Sequence, residues 1–201
     1  MTMNKVYPAF STPIYKDYIN LNKDILNPVL RNIDFKRINT DDRFHSADYK
    51  ILDNDLNFLK QLIVEKIKEY SQNYLGLVER HKIVITDSWV MKHTSGDSSE
   101  MHWHPNSIIS GCLYLQTDPK SGNICFFREK SLFNDVLDFE TTESEFNKKE
   151  VQVAPTDGMI ILFPSTLKHG VNPSRSDIPR FCLAFNTWIE GELDPPFRSK
   201  T

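Results

Sequence analysis

The sequence predicts a mainly β protein with helices at its N-terminal end, its strands closing into a sandwich, jelly roll or barrel. Two hydrophobic periods and the chain length predict it. Residues 54–75 carry apolar side chains three and four apart, whereas from residue 82 onward apolar and polar residues alternate in short runs. At 201 residues the chain lies in the range where one hydrophobic core can be built. A single domain over 1–201 is expected, with 1–81 as helical support and 82–190 as the strand-rich core.

The first element follows a proline-punctuated start. In "LNKDILNPVLRNI" (21–33), Leu21, Ile25, Leu26, Val29 and Ile33 recur at helical spacing. Pro28 predicts a kinked or split helix there, because proline removes an N–H and crowds the preceding turn. The second element is the stronger helix: Leu56, Leu59, Ile63, Ile67, Tyr70 and Tyr74 share one face, with Asp53 as N-cap and Gly76 as stop. Its polar face carries Lys60, Glu65, Lys68 and Glu69 without convergent chemistry, which assigns the helix to packing. The strands follow in "KIVITDSWVMKH", "IISGCLYLQ", "NICFFRE", "EVQVAP", "GMIILFP" and "RFCLAFNTW", separated by Gly, Pro, Asn and Asp. Segment 129–149, "EKSLFNDVLDFETTESEFNKK", is too long and acidic for a hairpin turn and reads as an excursion over a site or a mobile loop.

Composition excludes several classes. With 39% hydrophobic, 11% aromatic and 25% charged residues, the chain is neither disordered, nor collagenous, nor a disulfide scaffold. A net charge of -3 supplies no basic field for a nucleic-acid backbone. Cys112, Cys125 and Cys182 lie far apart in apolar runs and read as reduced core residues. No apolar run suggests a signal peptide or a membrane span, so a cytoplasmic location is expected.

The chemistry is concentrated in "MHWHPNSIISGCLYLQ" (101–116). If 100–104 is extended, Glu100, His102 and His104 point to one face and Met101 and Trp103 to the other. Alternate imidazoles then converge, which a helix would not allow. A metal needs a third ligand, and His169 in "APTDGMIILFPSTLKHGVNP" is the best candidate; imidazoles favour iron, zinc, copper or nickel over magnesium or calcium. An HxH pair also arises by chance in strands, so spacing alone leaves a metal site and an ordinary strand both open. His45 and His81, in charged surroundings, read as surface residues, while His93 ends a strand near the HxH segment and reads as a supporting group.

These segments, with "SGNICFF" and "APTDGMIILFPSTLKHGVNPSRSDIPRFCLAFN", resemble the Fe(II)/2-oxoglutarate-dependent oxygenases, in particular the branch with an HxHPNSxxSG segment; prolyl hydroxylases are more distant relatives. The likeness covers roughly residues 86–188. It implies a double-stranded β-helix core of the jelly-roll, cupin-like kind. It further implies iron held by His102 and His169, with His104 where most members carry a carboxylate. A triad of Glu100, His102 and His169 is the alternative. Arg180 matches the residue that grips the distal carboxylate of 2-oxoglutarate, with Arg175 as competitor. Tyr114 matches a tyrosine reaching the same carboxylate, and Asn106 is a candidate cosubstrate or substrate contact.

The implied activity is that of a dioxygenase using Fe(II), 2-oxoglutarate and O2, which hydroxylates a substrate the sequence does not identify and releases succinate and CO2. One rival is a cupin-like three-histidine metalloenzyme without 2-oxoglutarate. Gly96 before the HxH and "GVN" after His169 point that way, but the glutamate expected after the HxH is replaced by Ser-Ile-Ile-Ser at 107–110. The other rival is a non-catalytic jelly-roll binding or structural module.

Overall fold

The computed structural model describes residues 10–37, 44–129, 136–138, 144 and 146–190. Most of segment 129–149 lies outside them, and so does the expectation of an excursion there. In chain order the elements are β1 (Tyr15–Tyr18), α1 (Lys23–Asn32), β2 (Phe35–Arg37), β3 (Phe44–Ser46) and α2 (Asn57–Glu69), which runs on into a π-helical turn over Tyr70–Tyr74. Then come β4 (Lys82–His93), β5 (Ser99–His102), β6 (Ile109–Gln116), β7 (Ile124–Phe127), β8 (Glu150–Val153), β9 (Met159–Pro164), β10 (His169–Val171) and β11 (Arg180–Glu190).

Two sheets result, a seven-stranded one in the order β1-β9-β6-β11-β4-β3-β2 and a four-stranded one in the order β5-β10-β7-β8. Each strand ladder is antiparallel. From β4 onward the chain shuttles between the sheets: β5 crosses to the small one, β6 returns, β7 and β8 cross, β9 returns, β10 crosses and β11 returns. That winding is the double-stranded β-helix that the resemblance implies.

Alternation along the strands sorts the two faces of the large sheet. On one face Leu113 and Leu115 of β6, Ile160 and Leu162 of β9, and Leu183 and Phe185 of β11 pack with the helices. On the other, Cys112 and Tyr114, Ile161 and Phe163, and Cys182 meet Ile124 and Phe126 of the small sheet. The period of two thus separates a helix-backed core from a barrel interior. Leu59, Ile63 and Ile67 of α2 are at most 2% exposed. Each such side chain contributes about 1.5–3 kcal/mol on burial.

Three details depart from the sequence reading. First, α2 starts at Asn57 behind Leu56, with no side-chain cap, and Asp53 is not the N-cap. Ile51, Leu52 and Leu56, all 0–1% exposed, seat the preceding turns in the core, and that burial decides where the helix begins. Asp53 instead pairs with Lys60. Second, α1 runs through Pro28 unsplit, because Leu26 and Leu30 on either side of it are buried. Its N-cap is Asn22, whose side chain accepts from the Asp24 N–H at 3.0 Å. Third, strands also occur before residue 82. With three or four residues each, β1, β2 and β3 are too short to show a period, yet they form the two flanks of the large sheet.

Candidate metal and cosubstrate site

The three histidines meet where the sheets meet. His102 ends β5 and His169 begins β10, and the two are paired across the antiparallel ladder. Their ring centres lie 4.4 Å apart. His104 follows β5, and its N–H donates to Ser165 O at 2.9 Å just beyond β9. That bond turns the ring back, so that its centre lies 5.2 Å from those of both His102 and His169. The donor atoms of all three lie within 4.8 Å of one another. Met101 and Trp103, between them in sequence, are 57% and 52% exposed, as alternation requires.

Hydrogen bonds select the nitrogen that each ring presents. His102 Nδ1 lies 2.8 Å from Glu100 O, and His169 Nδ1 lies 2.9 Å from Leu167 O. A carbonyl only accepts, so both Nδ1 atoms carry the proton and both Nε2 lone pairs are free for a ligand. His104 Nε2 sits 3.3 Å from His169 Nε2, so the third donor points to the same place. Burial, with repulsion from His102 adding to it, pulls the pKa of His104 down to about 4. Burial likewise lowers His169 to about 3. Neutral rings are what a metal needs. Phe163 meets the His169 ring edge-on at 4.6 Å and restricts its rotation. Glu100 is exposed and its side chain is outside the cluster; what it contributes is its carbonyl.

Arg180, only 2% exposed, opens β11 opposite His93 of β4. Its Nη1 donates to Ser121 O and Gly122 O at 3.3 and 3.2 Å, and its Nη2 contacts His93 Nδ1. The guanidinium carbon lies 5.9 Å from the Tyr114 ring centre. Its Nε is buried without a hydrogen-bond partner, and among the described residues no carboxylate pairs with it. A buried cation without an anion is costly, so this arrangement suits an incoming carboxylate. Arg175, the competitor, is exposed.

All these groups share one cavity of about 290 Å³, lined by His102, His104, His169, Tyr114 and Arg180. Its walls also include His45, Tyr49, Trp89 and Met91, with the His45 and Tyr49 rings 5.1 Å apart and those of Tyr49 and Trp89 5.9 Å apart. His45 is therefore a wall residue rather than a surface one; its charged sequence neighbours hid this, because only the pairing of β3 with β4 brings it to the cavity. Asn106 is exposed and outside the lining. The neighbouring Ser107 is buried in a hydroxyl network with Ser165, which also lies 2.8 Å from Ser110. A larger groove of about 670 Å³, lined in part by Phe10, Arg128, Phe146 and Lys149, includes none of the histidines.

The double-stranded β-helix thus carries a converging imidazole cluster and, in the same cavity, a buried guanidinium that no carboxylate among the described residues pairs with. The family described as "Putative 2OG-Fe(II) oxygenase" matches residues 87–186, and the chain belongs to it. The protein is a 2-oxoglutarate- and Fe(II)-dependent oxygenase. Comparison with curated proteins gives no match. Among solved structures, a 2OG-Fe(II) oxygenase family oxidoreductase from Burkholderia pseudomallei is similar at 13% identity and TM-score 0.58, covering 81% of this chain and 75% of that one. HygX from Streptomyces hygroscopicus, with nickel and 2-oxoglutarate bound, is similar at 10% identity and TM-score 0.59, covering 88% and 82%. A prolyl-4-hydroxylase from Pseudomonas putida is similar at 16% identity and TM-score 0.56, covering 90% and 95%. At these identities the likeness concerns the fold.

Proposed function

We propose that His102, His104 and His169 hold the Fe(II), and that Arg180, with Tyr114 beside it, receives the distal carboxylate of 2-oxoglutarate in the same cavity. The observation that carries this reading is the buried Arg180 guanidinium, whose Nε lacks a partner and which shares a cavity with three converging imidazoles. A guanidinium forks two parallel hydrogen bonds to a carboxylate, and water exclusion strengthens both. Bound Fe(II) and 2-oxoglutarate supply O2 activation coupled to oxidative decarboxylation, the overall change being substrate C–H, O2 and 2-oxoglutarate to alcohol, succinate and CO2.

The protein's own part is placement. The carbonyls of Glu100 and Leu167 keep the protons on Nδ1 and direct Nε2 inward. Phe163, Phe126 and Ile124 exclude water from the donors, and Ser121 O and Gly122 O orient the guanidinium. Substrate enters along the wall of His45, Tyr49 and Trp89. Among the described residues no helix is long and apolar enough to cross a membrane.

Anaerobic Fe(II) titration with and without 2-oxoglutarate tests this reading. A visible charge-transfer band that requires 2-oxoglutarate and disappears in Arg180→Ala supports it. Iron uptake without the band favours a three-histidine metalloenzyme that does not use 2-oxoglutarate. No metal uptake favours a non-catalytic module.

A further inference from the structure

Resting on the metal-site reading above, we propose that Asp87 is a positioning residue for His104: when a metal binds, its Oδ2 takes up the Nδ1 proton of that ring, a bond not made in this structure, and supplies, one group removed from the metal, the negative charge that a directly bound carboxylate would give. The placement comes from strand register. Asp87 of β4 is paired with Asn186 of β11, which is paired with Ser110 of β6. Trp89, Met91 and His93, at alternate positions on β4, line the cavity, so alternation turns Asp87 to the same inner side. This rung is tied to His104 itself. Ser110 Oγ lies 2.8 Å from both Asn186 Oδ1 and Ser165 Oγ, and Ser165 O holds the His104 N–H.

Two unmet needs occur at this end of the large sheet. The Nδ1 atoms of His102 and His169 are held by carbonyls, but His104 Nδ1 has no hydrogen bond among the described residues. Asp87 Oδ2 is buried with no partner, and its Oδ1 has only a long 3.5 Å contact from Thr86 Oγ1. An unsatisfied buried carboxylate oxygen is costly unless it has a use. Three neutral imidazoles leave a divalent ion with its full charge, and a carboxylate behind one ring reduces that charge while raising the basicity of the ring.

Co(II) binding tests the proposal without turnover, followed by its visible spectrum and by competition with a chromophoric chelator. Wild type, Asp87→Asn, Asp87→Ala, Asp87→Glu and His104→Ala are compared, and each metal-free protein is melted in parallel. Asp87→Ala should weaken Co(II) binding about 10- to 100-fold and shift the Co(II) bands. Asp87→Asn should fall between it and wild type, and Asp87→Glu should restore part of the loss. Asp87→Ala added to His104→Ala should cost little more than His104→Ala alone, because the effect passes through that ring. Metal-free melting of Asp87→Asn close to that of wild type is expected. Co(II) affinity within twofold of wild type in Asp87→Ala, with His104→Ala impaired, would overturn the role of Asp87 and leave the metal site standing. Equal losses from Asp87→Ala in the wild-type and His104→Ala backgrounds would overturn it as well. A wild type that takes up no Co(II) would overturn both.

Discussion

The Nε2 atoms of His104 and His169 lie 3.3 Å apart although the residues are 65 positions apart in the chain. Two neutral nitrogens at that distance need a proton or a cation between them, since facing lone pairs repel. A shared ion meets that need for both rings, and for His102 as well.

His169→Ala and His104→Ala should each reduce Fe(II) affinity by more than about 100-fold, beyond what changes one group removed from a metal cost. Equilibrium dialysis with metal analysis measures this. Wild type should also gain about 2.7 kcal/mol of stability at a metal concentration 100 times its Kd, and the variants should gain less than about 0.4 kcal/mol at that concentration. A melting series against Fe(II) or Co(II) reads the difference.

Arg180→Met should leave iron uptake intact and weaken 2-oxoglutarate binding. Losing one partner of a sheltered charge pair costs about 3–5 kcal/mol, or about 100- to 1000-fold or more in affinity. Arg180→Lys should rescue only part, since an ammonium cannot fork two bonds to one carboxylate while Nη1 also serves Ser121 O and Gly122 O. Titration of 2-oxoglutarate against the iron-loaded protein checks both.

The glycines around the site should rank by what a methyl group would meet. Gly122 has φ +81° and a Cβ there would lie 2.2 Å from Asn172 O, so Gly122→Ala combines backbone strain with a backbone clash and displaces an acceptor of Arg180. It should lose about 2 kcal/mol or more and bind 2-oxoglutarate more weakly. Gly96 has φ +91° with nothing within 4 Å, so Gly96→Ala should cost about 1 kcal/mol. Urea unfolding of the two variants separates strain from collision.

The large elements were legible because their periods are long. Helix α2 and strands β4, β6, β7, β8, β9 and β11 announced themselves by repeated spacing, and the histidines by an i, i+2 pattern that only an extended chain can use, whereas β10, three residues long, showed no period. Arg180, the proposed anchor, was singled out through resemblance. What stayed hidden depends on register. His45 reaches the cavity because Phe44 and His45 pair with Lys92 and Met91, and no local pattern encodes that pairing. The same holds for Asp87, the one acidic residue of β4, whose neighbours Asn186 and Ser110 come from distant segments. Asp53 misled because capping is worth about 1 kcal/mol, less than burying Ile51, Leu52 and Leu56 together.

Acid should act on the seam between β1 and α2. Asp17 Oδ2 lies 2.5 Å from Lys66 Nζ, and Tyr15 Oη donates to the same carboxylate at 3.0 Å. The Lys66 hydrogen bond, helped by the Tyr18 N–H, holds the Asp17 carboxyl below its ordinary 3.8. Because the folded value is the lower one, the unfolded chain binds more protons as pH falls, so the contribution is complete above about pH 4 and is lost as pH drops through the folded value. The side chains are 38% and 27% exposed, so solvent screening keeps the contribution below about 1 kcal/mol. Asp17→Asn should therefore be less stable than wild type at pH 6, and the gap should close as pH falls below about 4. Urea midpoints at pH 6, 4 and 3 measure the gap; an unchanged difference at all three would mean that packing around Tyr15, not charge, sets the cost.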